Sequence, residues 1–131
     1  QEKTTTVRVF FGNNLEDPQA LNCEKVYSVE RQVLKNKTIS QTVEELLKGP
    51  TLEEQERGYL TNINSGVNMN NLVIENNIAK VDFDEQLEYQ VGESCRVMAI
   101  RSQIIGTLVQ FPEIADVIIS INGRTEDILQ P

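Results

Sequence analysis

Apolar positions change their spacing from segment to segment along the chain, and that spacing assigns the elements. Val7-Arg8-Val9-Phe10-Phe11 predicts a strand, closed by the turn formers Gly12-Asn13-Asn14. From Val26 to Val33, Tyr27, Val29, Arg31 and Val33 alternate with Ser28, Glu30 and Gln32. After Val26 one face is mostly apolar and the other polar, the pattern of a half-buried strand. The connection Leu15 to Lys25 is polar and holds Pro18 and Cys23. A helix is predicted from Ser40, a suitable N-cap, to Lys48, with Val43, Leu46 and Leu47 on one face. Gly49-Pro50 stops it, because Gly suits the left-handed position and Pro cannot continue a helix. Thr51-Leu52-Glu53-Glu54 has capping-box spacing and opens a second, short helix that Gly58 ends.

Residues 61 to 71 are rich in Asn, Ser and Gly and read as a loop, with Ile63, Val67 and Met69 dipping into the core. Leu72 to Glu75 and Ile78 to Phe83 are two strands around Asn76-Asn77. Asn tolerates positive φ, so a hairpin with a two-residue turn is expected. The longest helix is predicted from Ser94 to Phe111, ended by Pro112. Val97, Ile100, Ile104, Leu108 and Phe111 form one stripe, and Met98, Ile105 and Val109 widen it, which predicts a heavily buried helix. The near-continuous run Val117 to Ile121 predicts a strand buried on both faces or in mid-sheet, turned by Asn122-Gly123.

These elements imply one α+β domain over 7–131. The architecture expected is a two-layer sandwich, with a mixed sheet of about five strands and one long and one or two short helices mainly on one face. Residues 1–6 are expected to be a disordered N-terminal segment. The chain opens on Gln1 without Met, as expected of a processed form that had a signal peptide or membrane anchor upstream.

Composition narrows the chemistry. Among 131 residues there is no His and no Trp. Without His, serine-hydrolase triads, Cys–His pairs and most zinc sites are excluded. Twelve basic against twenty acidic residues give a net charge of −8, which argues against nucleic acid and anionic lipid as partners. No apolar run approaches the length of a membrane span.

Cys23 and Cys95 both lie outside the apolar stripes. Two unrelated thiols are one reading. The preferred one is a disulfide tying the segment before the second strand to the long helix, worth roughly 4 kcal/mol in the chain-entropy model. Such a bond implies an oxidising, extracytoplasmic setting. Phosphate-binding glycine loops and the nucleophile elbow are absent from the sequence. Asp82, Asp84 and Glu85 lie in the one carboxylate-rich stretch. Read sharply, they are a calcium site or an acid/base pair; read plainly, they are a solvated loop after a strand, and that is preferred. Arg31, Arg96 and Arg101 form a basic spot if the second strand and the long helix are neighbours, with salt bridging to nearby acids as the preferred alternative. Tyr59, Leu60 and Ile63 are either an exposed edge for a partner or, as preferred, core under a loop. Asn36-Lys37-Thr38 matches a glycosylation sequon, which matters only in a eukaryotic secretory pathway.

Several motifs occur in a characteristic order. Val29-Glu30-Arg31 is followed by Val43-x-x-Leu46-Leu47-x-Gly49-Pro50-Thr51, Glu54 and Gly58. Next come Ile63-x-x-Gly66, Leu72-x-Ile74 and Ala79-x-Val81-Asp82-Phe83. The long helix carries Gln103-Ile104-x-x-Thr107-Leu108-x-Gln110-Phe111-Pro112, and Val117 to Gly123 closes the series. Over about residues 7 to 123 the chain resembles the GerMN domain, the sporulation and spore germination domain of bacterial envelope proteins. The chain departs from that pattern at Ser28 and Asn64, where the family often has Pro, and at Asn76-Asn77, where it has Gly-containing turns. The two cysteines are not a general family feature.

The resemblance implies an α+β sandwich and a non-enzymatic extracytoplasmic module of the cell envelope, membrane-anchored or secreted, that binds or assembles. It implies no cofactor, no metal and no catalytic residue. A protein partner or self-association is expected, with a small-molecule or cell-wall glycan ligand as the alternative, and contact with a membrane only through an N-terminal anchor. The candidate binding surface comprises Tyr59, Leu60, Ile63, Asp82, Asp84, Arg31 and Arg96.

Overall fold

The computed structural model describes residues 3–19 and 21–130. The elements in chain order are β1 (Thr4–Asn13), β2 (Tyr27–Leu34), a 3₁₀ turn, α1 (Thr38–Lys48), α2 (Leu52–Glu56) and β3 (Tyr59–Leu60). They continue with β4 (Met69–Glu75), β5 (Ile78–Phe83), a second 3₁₀ turn (Glu85–Glu88), α3 (Ser94–Val109) and β6 (Asp116–Ile121).

Local chemistry accounts for most boundaries. The Thr51 hydroxyl accepts from the Glu54 amide at 3.1 Å, and the Glu54 carboxylate accepts from the Thr51 amide at 2.9 Å, so two orphan donors of α2 are satisfied reciprocally. Asn76 and Asn77 have φ of 52° and 64°, the conformation a tight β4–β5 hairpin requires. Gly49 ends α1 at φ 80°. That helix starts at Thr38, two residues before the expected cap, and Ser40 donates to the Lys37 carbonyl from within its first turn.

The fold is α+β, but its strands do not form the single five-stranded sheet expected. They form two three-stranded sheets, ordered β2-β1-β3 and β4-β5-β6. In the first, β1 pairs antiparallel with β2 from Thr4↔Leu34 to Phe11↔Tyr27, while β3 reaches only Gly12 and Asn13. In the second, β4 and β5 are antiparallel, and α3 carries the chain across so that β6 runs parallel to β5. Thr4 to Thr6 therefore belong to β1, which corrects the expectation of disorder there; Gln1 and Glu2 lie outside the described residues.

The sheets stay separate because a helix occupies the place of a strand. Beyond β3's two residues, the side of β1 away from β2 faces α3. Gln110 accepts from the Arg8 amide at 2.9 Å and donates to the Arg8 carbonyl at 2.6 Å. Thr107 accepts from the Phe10 amide at 3.2 Å. One turn earlier, Gln103 is fully buried; it accepts from the Asn62 amide at 2.9 Å and donates to Thr61 at 3.0 Å. These bonds satisfy backbone groups that a further strand would otherwise have to satisfy.

One apolar core joins both sheets. Val9 and Phe11 of β1 meet Ala79, Val81 and Phe83 of β5, Ile119 and Ile121 of β6, and Val43, Leu46, Ile100, Ile104 and Leu108 of the helices. Ile63 and Val67 dip into it as expected, and Ile128 and Leu129 of the tail lie back on it. Two burial expectations are corrected. Met98, Ile105 and Val109 are exposed, because they lie on the side of α3 opposite Ile100, Ile104 and Leu108. β6 is an edge strand, not mid-sheet, and Ile118 is 37% exposed because, among the described residues, no helix or strand covers the outer face of that sheet.

Replacing Gln103 by Leu keeps its bulk but leaves the Asn62 amide without its acceptor and removes one of the two bonds the Thr61 hydroxyl accepts. We expect a loss of about 1–3 kcal/mol in urea denaturation. Met98→Ser on the opposite side should change stability by no more than about 0.5 kcal/mol.

Candidate functional site

The residues singled out in the sequence fall in three places. Arg31 extends from β2 over the ends of α1 and α2. Its guanidinium makes two hydrogen bonds of 2.7 Å to the two oxygens of Glu54, an ion pair of 3.5 Å to Glu45, and lies 5.9 Å from the Phe11 ring centre. Both partners of the main pair are largely buried. Hydrogen bonding to Arg31 holds Glu54 below its ordinary carboxylate value of 4.5 against the opposing effect of burial, and the Thr51 amide adds to it. The same hydrogen bond raises Arg31. This is the salt-bridging reading of Arg31, and it pins the α1–α2 corner to the first sheet.

The acidic stretch forms the second place. Asp82, at the end of β5, accepts from Ser120 at 2.5 Å and from the Gly123 amide at 2.8 Å through one oxygen, and from Asn70 at 3.0 Å through the other. Burial alone would raise its pKa, but these three donors outweigh burial and hold it below 3.8. Asp84 caps the following 3₁₀ turn by accepting from the Gln86 amide, and takes a second bond from Asn68. Glu85 accepts from Asn122 at 2.9 Å. The acids thus tie the end of β5 to β4 through Asn70, and to β6 and the turn after it through Ser120, Asn122 and Gly123.

The third place surrounds the start of α3. Cys23 and Cys95 are bonded across 72 positions, with Cα atoms 5.1 Å apart. Arg96 donates to the Asn62 carbonyl at 3.2 Å and to the Asn64 side chain, so it fastens the loop after β3 to the helix. Arg101 donates to the Ile128 carbonyl and holds the tail. The three arginines do not converge on one spot. Tyr59 and Leu60 form β3 and are half-buried, and Ile63 is buried.

Beside the disulfide lies a cleft of about 150 Å³, lined by Asn14, Asp17, Lys25, Tyr27, Leu60 and Asn62 among others. Sites for drug-sized ligands run to roughly 300 Å³ or more. The cleft's charged groups are engaged: Asp17 accepts from the Leu21 and Asn22 amides, and the Lys25 ammonium sits 5.7 Å from the Tyr27 ring centre. Gly58 braces its rim. It has φ +94°, and a side-chain carbon there would fall 2.6 Å from Asn13 Oδ1 and 2.7 Å from Leu15 Cγ, so only glycine fits.

Sequence reasoning overlooked Gln103, Thr107 and Gln110 as a set. Their signal was spacing: three polar residues at i, i+4 and i+7 on a mostly apolar helix.

These features define a disulfide-stapled α+β domain with two small sheets around shared helices. The family model for sporulation and spore germination, Germane, matches residues 8–127, and the chain belongs to that family. Its fold is shared by the tandem GerMN domains of the sporulation protein GerM from Bacillus subtilis, at TM-score 0.70 and 20% identity over 97% of this chain. This chain spans 42% of that tandem protein. The first GerMN domain of the same protein aligns at TM-score 0.65 and 20% identity, covering 92% of this chain and 85% of that one. A candidate lipoprotein from Clostridium perfringens aligns at TM-score 0.61 and 15% identity, covering 99% and 84%. No curated protein matches the chain. Among the described residues no helix is long and apolar enough to cross a membrane.

Two predictions follow from this geometry. The double variant Cys23→Ser/Cys95→Ser should lose roughly 2–4 kcal/mol of stability, and thiol titration of the denatured, non-reduced parent should find no free thiol. Glu54→Gln should cost about 1–3 kcal/mol at neutral pH, since it leaves a largely buried guanidinium short of its partner. Because the folded pKa of Glu54 lies below the unfolded one, the pair's contribution is whole above about pH 5 and is lost as pH falls through and below 4.5. The gap between parent and variant, followed by denaturation at several pH values, should therefore narrow in acid.

Proposed function

We propose that this domain is a non-enzymatic binding or assembly module of the bacterial envelope, working outside the cytoplasm, and that its ligand is another protein. Membership of the sporulation and spore germination family supports the reading. So does the likeness to a sporulation protein and a candidate lipoprotein. The disulfide favours an oxidising compartment. The observation that carries the choice of a protein ligand is the shape of the surface. Apolar side chains stand out, Val73, Ile74 and Ile118 on the second sheet, Leu15 and Leu21 in the β1–β2 connection and Leu52 at the start of α2, whereas the cleft beside the disulfide is small and the larger hollow over Val73 and Lys80 is open to solvent. Flat apolar and strand-edge surface suits protein contact, and deep concave surface suits small ligands.

Affinity capture from a native envelope extract tests this, with the folded domain and its reduced, unfolded form as baits and purified cell wall in a parallel arm. The expected result is a protein retained only by the folded bait, whose purified form then binds saturably. Retention by cell wall alone would replace this reading with glycan binding.

A further inference from the structure

We propose that the outer edge of β4, residues 71–75, is a docking strand for an extended, positively charged segment of a partner protein. This rests on the reading of the domain as a protein-binding module and names the surface it uses.

An edge strand displays a row of backbone donors and acceptors that invites another strand, and folded proteins normally block it. The other edges are engaged at some of their outward backbone groups. The free side of β1 is closed by Gln110 and Thr107. On β2, Gln41 takes the Leu34 amide at 2.8 Å and Arg31 caps the Glu30 carbonyl at 3.0 Å. On β6, Ile121 exchanges both backbone bonds with Arg124, and Asp116 takes the Val117 amide. β4 is treated differently. Among the described residues, no hydrogen bond outside the β5 ladder engages the backbone of 71–75. A bulge at Asn70, locked by side-chain bonds to Asp82 and Asn122, ends the open stretch on one side.

The side chains suit an incoming strand. Asn71-Leu72-Val73-Ile74 holds no Lys, Pro or acid, the usual guards of an edge. Val73 is 36% exposed and Ile74 is 37% exposed on opposite faces, so one added strand covers both.

Charge selects the occupant. On the outer face, Glu75 of β4 and Asp82 of β5 lie beside Lys80, which is itself paired with Glu75 at 3.3 Å, and Asp116 adds a further acid two strands away on β6. The chain carries −8. A second copy would bring −8 against −8, whereas a strand with Lys or Arg beside Val73 and apolar residues beside Leu72 and Ile74 meets attraction on one face and apolar contact on the other. The fitting segment alternates basic and apolar residues.

The test uses the intact disulfide-bonded domain and a strand-length peptide alternating Lys and Val, followed by amide NMR and calorimetry. Saturable binding is expected, with the largest shifts in residues 71–75 and an affinity that falls with salt. Methylating alternate peptide amides should abolish it, and Val73→Lys should weaken it about tenfold. Binding that survives methylation, or that maps to other acidic surface, would overturn the proposal. So would no binding at all, and so would a concentration-dependent dimer of the domain that blocks the peptide, which would assign the edge to a second copy. Using Val73→Lys as bait in the envelope capture separates the two readings. If a protein partner is still retained undiminished, the module binds protein and the β4 edge is not where it does so.

Discussion

The contact between α3 and the open side of β1 is the constraint from which the rest of the architecture follows. Gln110 bonds both backbone groups of Arg8, and Thr107 bonds the next outward amide, that of Phe10. A helix thereby ends a sheet where another strand would extend it. With β1 closed, β5 and β6 cannot join the first sheet, and they assemble with β4 into a second. The helix that separates the sheets also fills the space between them, because Ile100, Ile104 and Leu108 lie on a different flank from the glutamines and enter the common core. The buried polar side chains cost nothing extra here. Each has its partner, and no buried side-chain nitrogen or oxygen among the described residues lacks one.

Two further ties hold the periphery to this frame. The disulfide fixes the long β1–β2 connection to the first turn of α3, where few apolar side chains anchor it and Leu15 and Leu21 stand exposed. At the far end of β2, the Arg31–Glu54 pair joins three elements through one guanidinium. Glu54 serves twice, since the carboxylate that receives Arg31 also closes the capping box with Thr51. The geometry of α2 and its attachment to the sheet are therefore one event, which explains how so short a helix keeps its position.

Much of this was legible in local patterns. The Asn76-Asn77 hairpin, the Thr51 capping box, the Gly49 stop and the extent of α3 follow from backbone chemistry that acts within a few residues. The Cys23–Cys95 bond was readable because neither cysteine fits an apolar stripe. What local patterns do not carry is which strands become neighbours. The run Val117 to Ile121 looks like mid-sheet, yet β6 is an edge, since periodicity reports how much apolar surface a strand has and not how many strands flank it. The wide stripe on α3 misled in the same way: Met98, Ile105 and Val109 are apolar without being buried. Arg31 and Asp82 could be singled out as candidates, Asp82 preferentially as part of a solvated loop, but the bonds they make depend on Glu54, Ser120 and Gly123, all distant in sequence.

The motifs that carry the family resemblance prove to be the fold's own fastenings. Asp82 of Ala79-x-Val81-Asp82-Phe83 gathers donors from Asn70, Ser120 and Gly123. Gln103, Thr107 and Gln110 seat the long helix, and Thr51 and Glu54 build the corner that Arg31 grips. A carboxylate already taking three hydrogen bonds, with its pKa held down by them, is poorly placed to exchange a proton near neutrality. The same hydrogen bonds that fasten the fold are what make these residues recognisable in the sequence. Recognition in such a domain has to rest on groups the fold leaves uncommitted. In the proposed docking of a partner strand, those groups are the backbone and apolar side chains along the outer edge of β4.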